Sequence, residues 1–142
     1  MKTSPFFRYS GKVEILIKME KDIWREGKYI DLWSLVHFLS GFVLAGWLFF
    51  LGAPLYASVG IAAITFAVWE IFEHIYKIEV TSNQIADLVI NYVGFSFFFL
   101  AKDVFIHGAL SVVVITTVIT LLLSLSGFLA FIRRKARKVL DG

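Results

Sequence analysis

Between Trp69 and Gly94 the chain reads WEIFEHIYKIEVTSNQIADLVINYVG. Glu70, Glu73 and His74 close one apolar stretch, and Asn83, Asp87 and Asn91 open the next. Side chains three and four apart share a helix face. Glu70 can therefore align with Glu73 or with His74, while Asn83, Asp87, Asn91 and Gly94 form one stripe. Upstream, His37 and Gly41 share a face in the same way.

An acid in the middle of a membrane helix costs about 2.5–3.5 kcal/mol on insertion scales. A buried carboxylate must be paired, protonated or bound to metal. Two chemical uses and one structural use follow. Oxygens and imidazole can coordinate a divalent cation, which activates water or holds a phosphate. Carboxylates can instead carry protons for acid–base chemistry or transport. Or the groups hydrogen-bond one another and set helix register. His37, Glu70, Glu73 and Asp87 are the expected metal ligands. Glu70, Asp87 and His37 are the expected reactive groups, and Asn91, Asn83 and Trp69 the expected substrate contacts. His74, near the interface, reads as structural, and Asp31 as a helix N-cap. No HExxH and no paired ExxH is present, so the spacing alone names no metal.

The elements that carry these residues are apolar. The 142-residue chain is 58% hydrophobic and 17% aromatic, with a mean hydropathy of +0.78; soluble domains have roughly 45–50% apolar residues. Four stretches are long enough to cross the hydrocarbon of a bilayer: residues 33–51, 54–76, 84–101 and 108–132. The expectation is an all-α, single-domain bundle of four transmembrane spans. The chain has no cysteine, which excludes disulfides and thiolate ligands. MKTSPFFRYSGK has no uninterrupted apolar region of a signal peptide, so span one is expected to be an uncleaved anchor.

Charge sets the expected orientation. Lys2, Arg8, Lys12, Lys18, Lys21, Arg25 and Lys28 precede span one, and IRRKARK follows span four. The positive-inside rule places both ends in the cytoplasm. The net charge of +3 then suits anionic lipid headgroups, not nucleic acid. Residues 1–32 include KVEILIKMEKDIWREGKY, which reads as an amphipathic helix in the cytoplasmic interface. By helical rise, His37, Glu70, Asp87 and Asn91 lie roughly 5–12 Å below that interface. Gly41, Ala45 and Gly46 in span one, with Ala57, Ser58, Gly60, Ala62 and Ala63 in span two, let backbones approach, and with the short turn between them make these two spans the expected antiparallel neighbours. Span four, with hydroxyls and no charge, is expected to close the bundle.

In order along the chain come Asp31 and His37, then Trp69, Glu70 and Glu73, then Asp87, Asn91 and Gly94. This order resembles the VanZ-like family of small polytopic membrane proteins, and the WExxE form is similar to related uncharacterised bacterial membrane proteins. The resemblance covers residues 31–101, three of the four spans. Three positions depart from it: Asp31 precedes His37 by six residues where four is common, Glu73 stands where glutamine is common, and an arginine before the Asp87–Asn91 stripe is missing, with Asn83 and Gln84 nearby. The resemblance implies a prokaryotic plasma membrane and an envelope or lipid-linked setting. It implies no particular reaction.

The leading expectation is an inner-leaflet site that binds, and is able to modify, a lipid or lipid-linked headgroup with the help of a divalent metal. One rival is a proton-coupled transporter or flippase, which would need a polar path to the far side or a homo-oligomer to build one. The other is an accessory subunit whose polar layer only fixes register.

Overall fold

The computed structural model describes residues 23–24, 30–76 and 81–140. Four α-helices account for nearly all of them: α1 (Leu32–Phe50), α2 (Leu55–Tyr76), α3 (Thr81–Ala101) and α4 (Ala109–Leu140). A 3-10 turn, Ile106–Gly108, precedes α4. Stretches of each helix, namely Leu32–Phe50, Leu55–Tyr76, Asn83–Ala101 and Ala109–Ala136, are long and apolar enough to cross a membrane. The expected interfacial helix before span one lies outside the described residues except for Ile23 and Trp24, and so does the loop holding Lys77 and Glu79.

Local chemistry sets the helix ends. Asp31 caps α1: its Oδ1 accepts from the backbone N–H groups of Trp33 at 2.8 Å and Ser34 at 3.2 Å. Ser34 Oγ accepts in return from the Asp31 N–H at 3.3 Å, completing a capping box. After Leu51 the chain reverses at Gly52, whose φ of 74° suits glycine. Pro54 stands just before α2, where a missing N–H costs nothing.

The helix α1 is the centre of the fold. It lies along α3 over most of its length, meets α4 on another side and touches α2 more lightly. Gly41 and Gly94 make the α1–α3 approach possible. A Cβ on Gly41 would overlap the Asn91 carbonyl, and one on Gly94 would overlap that of Phe38. The core runs through Phe42, Ala45 and Leu48 of α1, Ala62 and Phe66 of α2, Phe95 and Phe98 of α3, and Val113 of α4. Phe42 and Phe98 meet edge-on at 5.3 Å, a favoured aromatic geometry.

Spans one and two are antiparallel neighbours, as expected, but their contact is light; Gly41 faces α3, and Gly46 faces Val113 of α4 and Phe98 of α3. Small residues let helix backbones approach closely in lipid, and here Gly41 lies against the backbone of Asn91 and Phe95 while Gly94 lies against that of Phe38. One expectation is corrected: span four does not close the bundle. No Cα of α4 comes within 8 Å of a Cα of α2 or α3 among the described residues. It is tied to α1 and to the segment before it. Trp24 Nε1 donates to Ser126 Oγ at 3.2 Å, Arg134 Nη1 donates to the Trp24 carbonyl at 2.9 Å, and the Trp24 and Trp33 rings lie 5.1 Å apart.

On α2 the buried residues are Ser58, Ala62, Phe66 and Glu73, a single narrow stripe. Around it Val59, Ile61, Ile64, Val68 and Ile71 are exposed. A helix that is apolar on all sides and mostly uncovered by protein is suited to lipid, since a water-facing surface this apolar would associate.

Candidate intramembrane site

Polar side chains from three helices meet at the end of the bundle where α1 and α3 begin and α2 ends. They form two parts. The first is a clamp between α1 and α3. Ser34 Oγ donates to Asp87 Oδ1 at 2.8 Å, and Asn83 Nδ2 donates to Asp87 Oδ2 at 2.9 Å. Asn91 Nδ2 lies 3.0 Å from His37 Nδ1. His37 Nε2 is 3.8 Å from Asp87 Oδ2. Asp87, Asn83, Asn91, His37 and Ser34 are all buried, Asp87 and Asn83 completely. The four-residue spacing of Asn83, Asp87 and Asn91 does what a helix stripe should: it turns all three toward α1.

The second part is the acidic end of α2. One ring nitrogen of His37 and one oxygen each of Glu70 and Glu73 lie within 4.8 Å of one another. Both carboxylate oxygens of Glu70 are buried without a hydrogen-bond partner, as is His37 Nε2. Glu73 is 2% exposed. Two ligands of one first-row ion can be at most about 4.2 Å apart, twice a bond of about 2.1 Å. The spacing of up to 4.8 Å here is wider than that, so binding an ion would draw the three side chains together. Three protein donors would leave a coordination position for water or a phosphate oxygen.

The tautomer of His37 links the two parts. With Asn91 Nδ2 toward Nδ1, the amide donates and the ring proton sits on Nε2. Exchanging the amide oxygen and nitrogen, a rotation that hardly alters the shape, lets Nδ1–H donate and leaves a lone pair on Nε2. Asn91 is thus placed to select which imidazole nitrogen is available.

The three helix faces that carry the expected residues do converge, and His37, Glu70 and Glu73 come together as a group. Asp87 stands beside that group, not in it, with both oxygens accepting hydrogen bonds. Asn83 is turned to Asp87 and is fully buried. Trp69 is half-exposed on the rim, stacked on Phe72 at 5.7 Å. His74 is exposed on the last turn of α2. Asp31 caps its helix, as its position suggested. Ser34 is the buried polar neighbour of Asp87 that spacing alone did not single out. Its place one turn before His37 was the available signal, since both fall on the α1 face that meets Asp87.

Compared with known proteins, the chain matches no family model, no curated protein and no solved structure. Fold and site define its class: an all-helical protein with four spans suited to a membrane and a buried polar layer near one end.

Proposed function

We propose that this protein binds a lipid or lipid-linked headgroup at the cytoplasmic leaflet through a divalent cation held by His37, Glu70 and Glu73, and that it is equipped to modify that headgroup. Asp87, Ser34 and Asn83 hold α1 and α3 in register. Asn91 orients the imidazole. Trp69 lies on the rim as a contact for the headgroup. The cation supplies Lewis acidity and a place for a phosphate oxygen or a water. The basic segments at the two ends favour the inner, anionic leaflet, and the order of polar residues fits a VanZ-like protein of a prokaryotic envelope.

One observation carries this reading: three donors from two helices converge in a buried place, and the Glu70 oxygens there have no hydrogen-bond partner. Register alone does not need Glu70, because the α1–α3 clamp is complete without it. Transport finds less support. Beyond the layer, Trp47 Nε1 donates to Thr117 Oγ1, and Ser58 Oγ donates back to the Pro54 carbonyl. Such satisfied groups do not make a polar path.

The test is elemental analysis of the detergent-purified protein, prepared without chelator and with added divalent ions, beside Glu70→Gln at matched helicity by circular dichroism. The reading requires near-stoichiometric metal in the parent and its loss in the variant. Metal absent from both would refute it.

A further inference from the structure

A groove of about 1130 Å³ opens between α2 and α4, over the face of α1. It exists because both flanking helices approach α1, while among the described residues no Cα of one comes within 8 Å of a Cα of the other. Drug-sized ligand pockets hold about 300–1,000 Å³, so this one is large enough for a long apolar group. His37, Glu73 and Asn91 line one end of it. On α1 its lining stops at Trp47, and on α4 at Thr117. These two residues bond to each other at 3.0 Å and form the far end.

The wall between those ends asks for hydrocarbon. Two of its hydroxyls are already used, Thr117 donating to the Val113 carbonyl and Thr120 to that of Thr116, both at 2.7 Å; Ser40, Thr65 and Ser124 are the other hydroxyls on the wall. What remains is chiefly apolar, with Val43 and Leu44 on one side and Leu121 and Leu125 on another. From His37 to Trp47 the helix rises about 15 Å at 1.5 Å per residue. One leaflet contributes about 15 Å of the roughly 30 Å hydrocarbon core. The groove therefore has a polar end roughly 5–12 Å below the cytoplasmic interface, an apolar course about as long as one leaflet's hydrocarbon is thick, and an open side toward the bilayer.

We propose that this groove holds an acyl chain of a bilayer phospholipid, which enters sideways between α2 and α4 and places its phosphate at the His37–Glu70–Glu73 end. The inference rests on the headgroup reading above for the phosphate, and adds the occupant of the groove and its route. The leaflet-long course suits an ordinary acyl chain and is too short for a long polyprenyl chain.

The experiment uses the full chain in vesicles of phosphatidylethanolamine and phosphatidylglycerol, with a little phosphatidylglycerol carrying a diazirine along one acyl chain. After irradiation, labelled peptides are mapped by mass spectrometry, and metal content is measured on the same samples. Label should concentrate at Val43, Leu121 and Leu125 over the outward residues Ile71 and Leu122. It should fall about tenfold, equivalent to about 1.4 kcal/mol, in Val43→Trp, and likewise in Leu121→Trp, which alters a different helix should the first variant not fold. Metal content should not change in either.

Equal labelling of groove and outward residues would overturn the proposal, leaving only bulk lipid. Competition by a polyprenyl phosphate but not by phospholipid would overturn the choice of occupant. A groove protected by a second copy of the chain, seen as cross-linked dimer, would also overturn it. Metal without groove labelling defeats this inference and leaves the headgroup reading standing; groove labelling without metal does the reverse.

Discussion

Ser34 near the start of α1 and Asp87 on α3 are joined by a buried 2.8 Å hydrogen bond across 53 positions of sequence. With the Asn91–His37 contact and the Gly41–Gly94 approach, it makes α1 and α3 one rigid pair. The acids of α2 are presented to that pair. This division of labour between a clamp and a proposed liganding edge yields separate expectations for stability and for binding.

Removing Asp87 should damage the clamp. Asp87→Ala leaves the Ser34 hydroxyl and the Asn83 amide without their acceptor, and an unsatisfied buried group costs about 1–3 kcal/mol. Thermal unfolding in detergent should show a clear drop in Tm. A Ser34→Ala, Asp87→Ala double-mutant cycle should give a coupling of at least about 0.6 kcal/mol, the average for hydrogen bonds between membrane helices, and at most about 1.7 kcal/mol. Zero coupling would remove the clamp.

Gly94→Ala should be among the most destabilising small changes in the chain, because the added Cβ meets the backbone of Phe38 and not a movable side chain. Overpacking typically costs about 1–3 kcal/mol. Gly60→Ala is the control. Nothing lies within 4 Å of a Cβ there, and alanine favours helix by about 1 kcal/mol. The two variants should move Tm in opposite directions.

Glu70→Gln should separate binding from folding. It removes a carboxylate whose oxygens no hydrogen bond satisfies, so the metal-free protein should be at least as stable as the parent. Its stabilisation by added divalent cation should vanish, since a ligand that binds only the folded state raises Tm in proportion to its affinity. A strong loss of metal-free stability in Glu70→Gln would mean the carboxylate has a structural partner.

Asn91 should act through His37. Asn91→Leu leaves the imidazole unoriented and should weaken metal binding about 10–100-fold, as loss of such supporting groups does elsewhere. Asn91→Asp offers only an acceptor, holds the proton on Nδ1 and should restore affinity. Titration with a divalent cation, read by melting temperature, distinguishes the two. Acidification should weaken binding in every case, because protons compete for the same ligands.

Much of this protein is written in its sequence as local pattern. Apolar length alone marks the four spans. Asp31 ahead of Ser34 marks the start of α1, since a cap is decided within a few residues. The spacing of Asn83, Asp87 and Asn91 marks one face of α3. The tertiary structure decided which helices use those faces: Gly41 lies against the backbone of Asn91 and Gly94 against that of Phe38, Asp87 is satisfied by Ser34 and Asn83, Glu70 and Glu73 are brought to His37, and α4 stands clear of α2 to leave a groove. The reason is the solvent. Lipid tails are as apolar as a leucine-rich helix face, so hydrophobic periodicity cannot say which side of a membrane helix is buried. Rotation and choice of neighbour are left to small residues and hydrogen bonds that meet only when the helices pack.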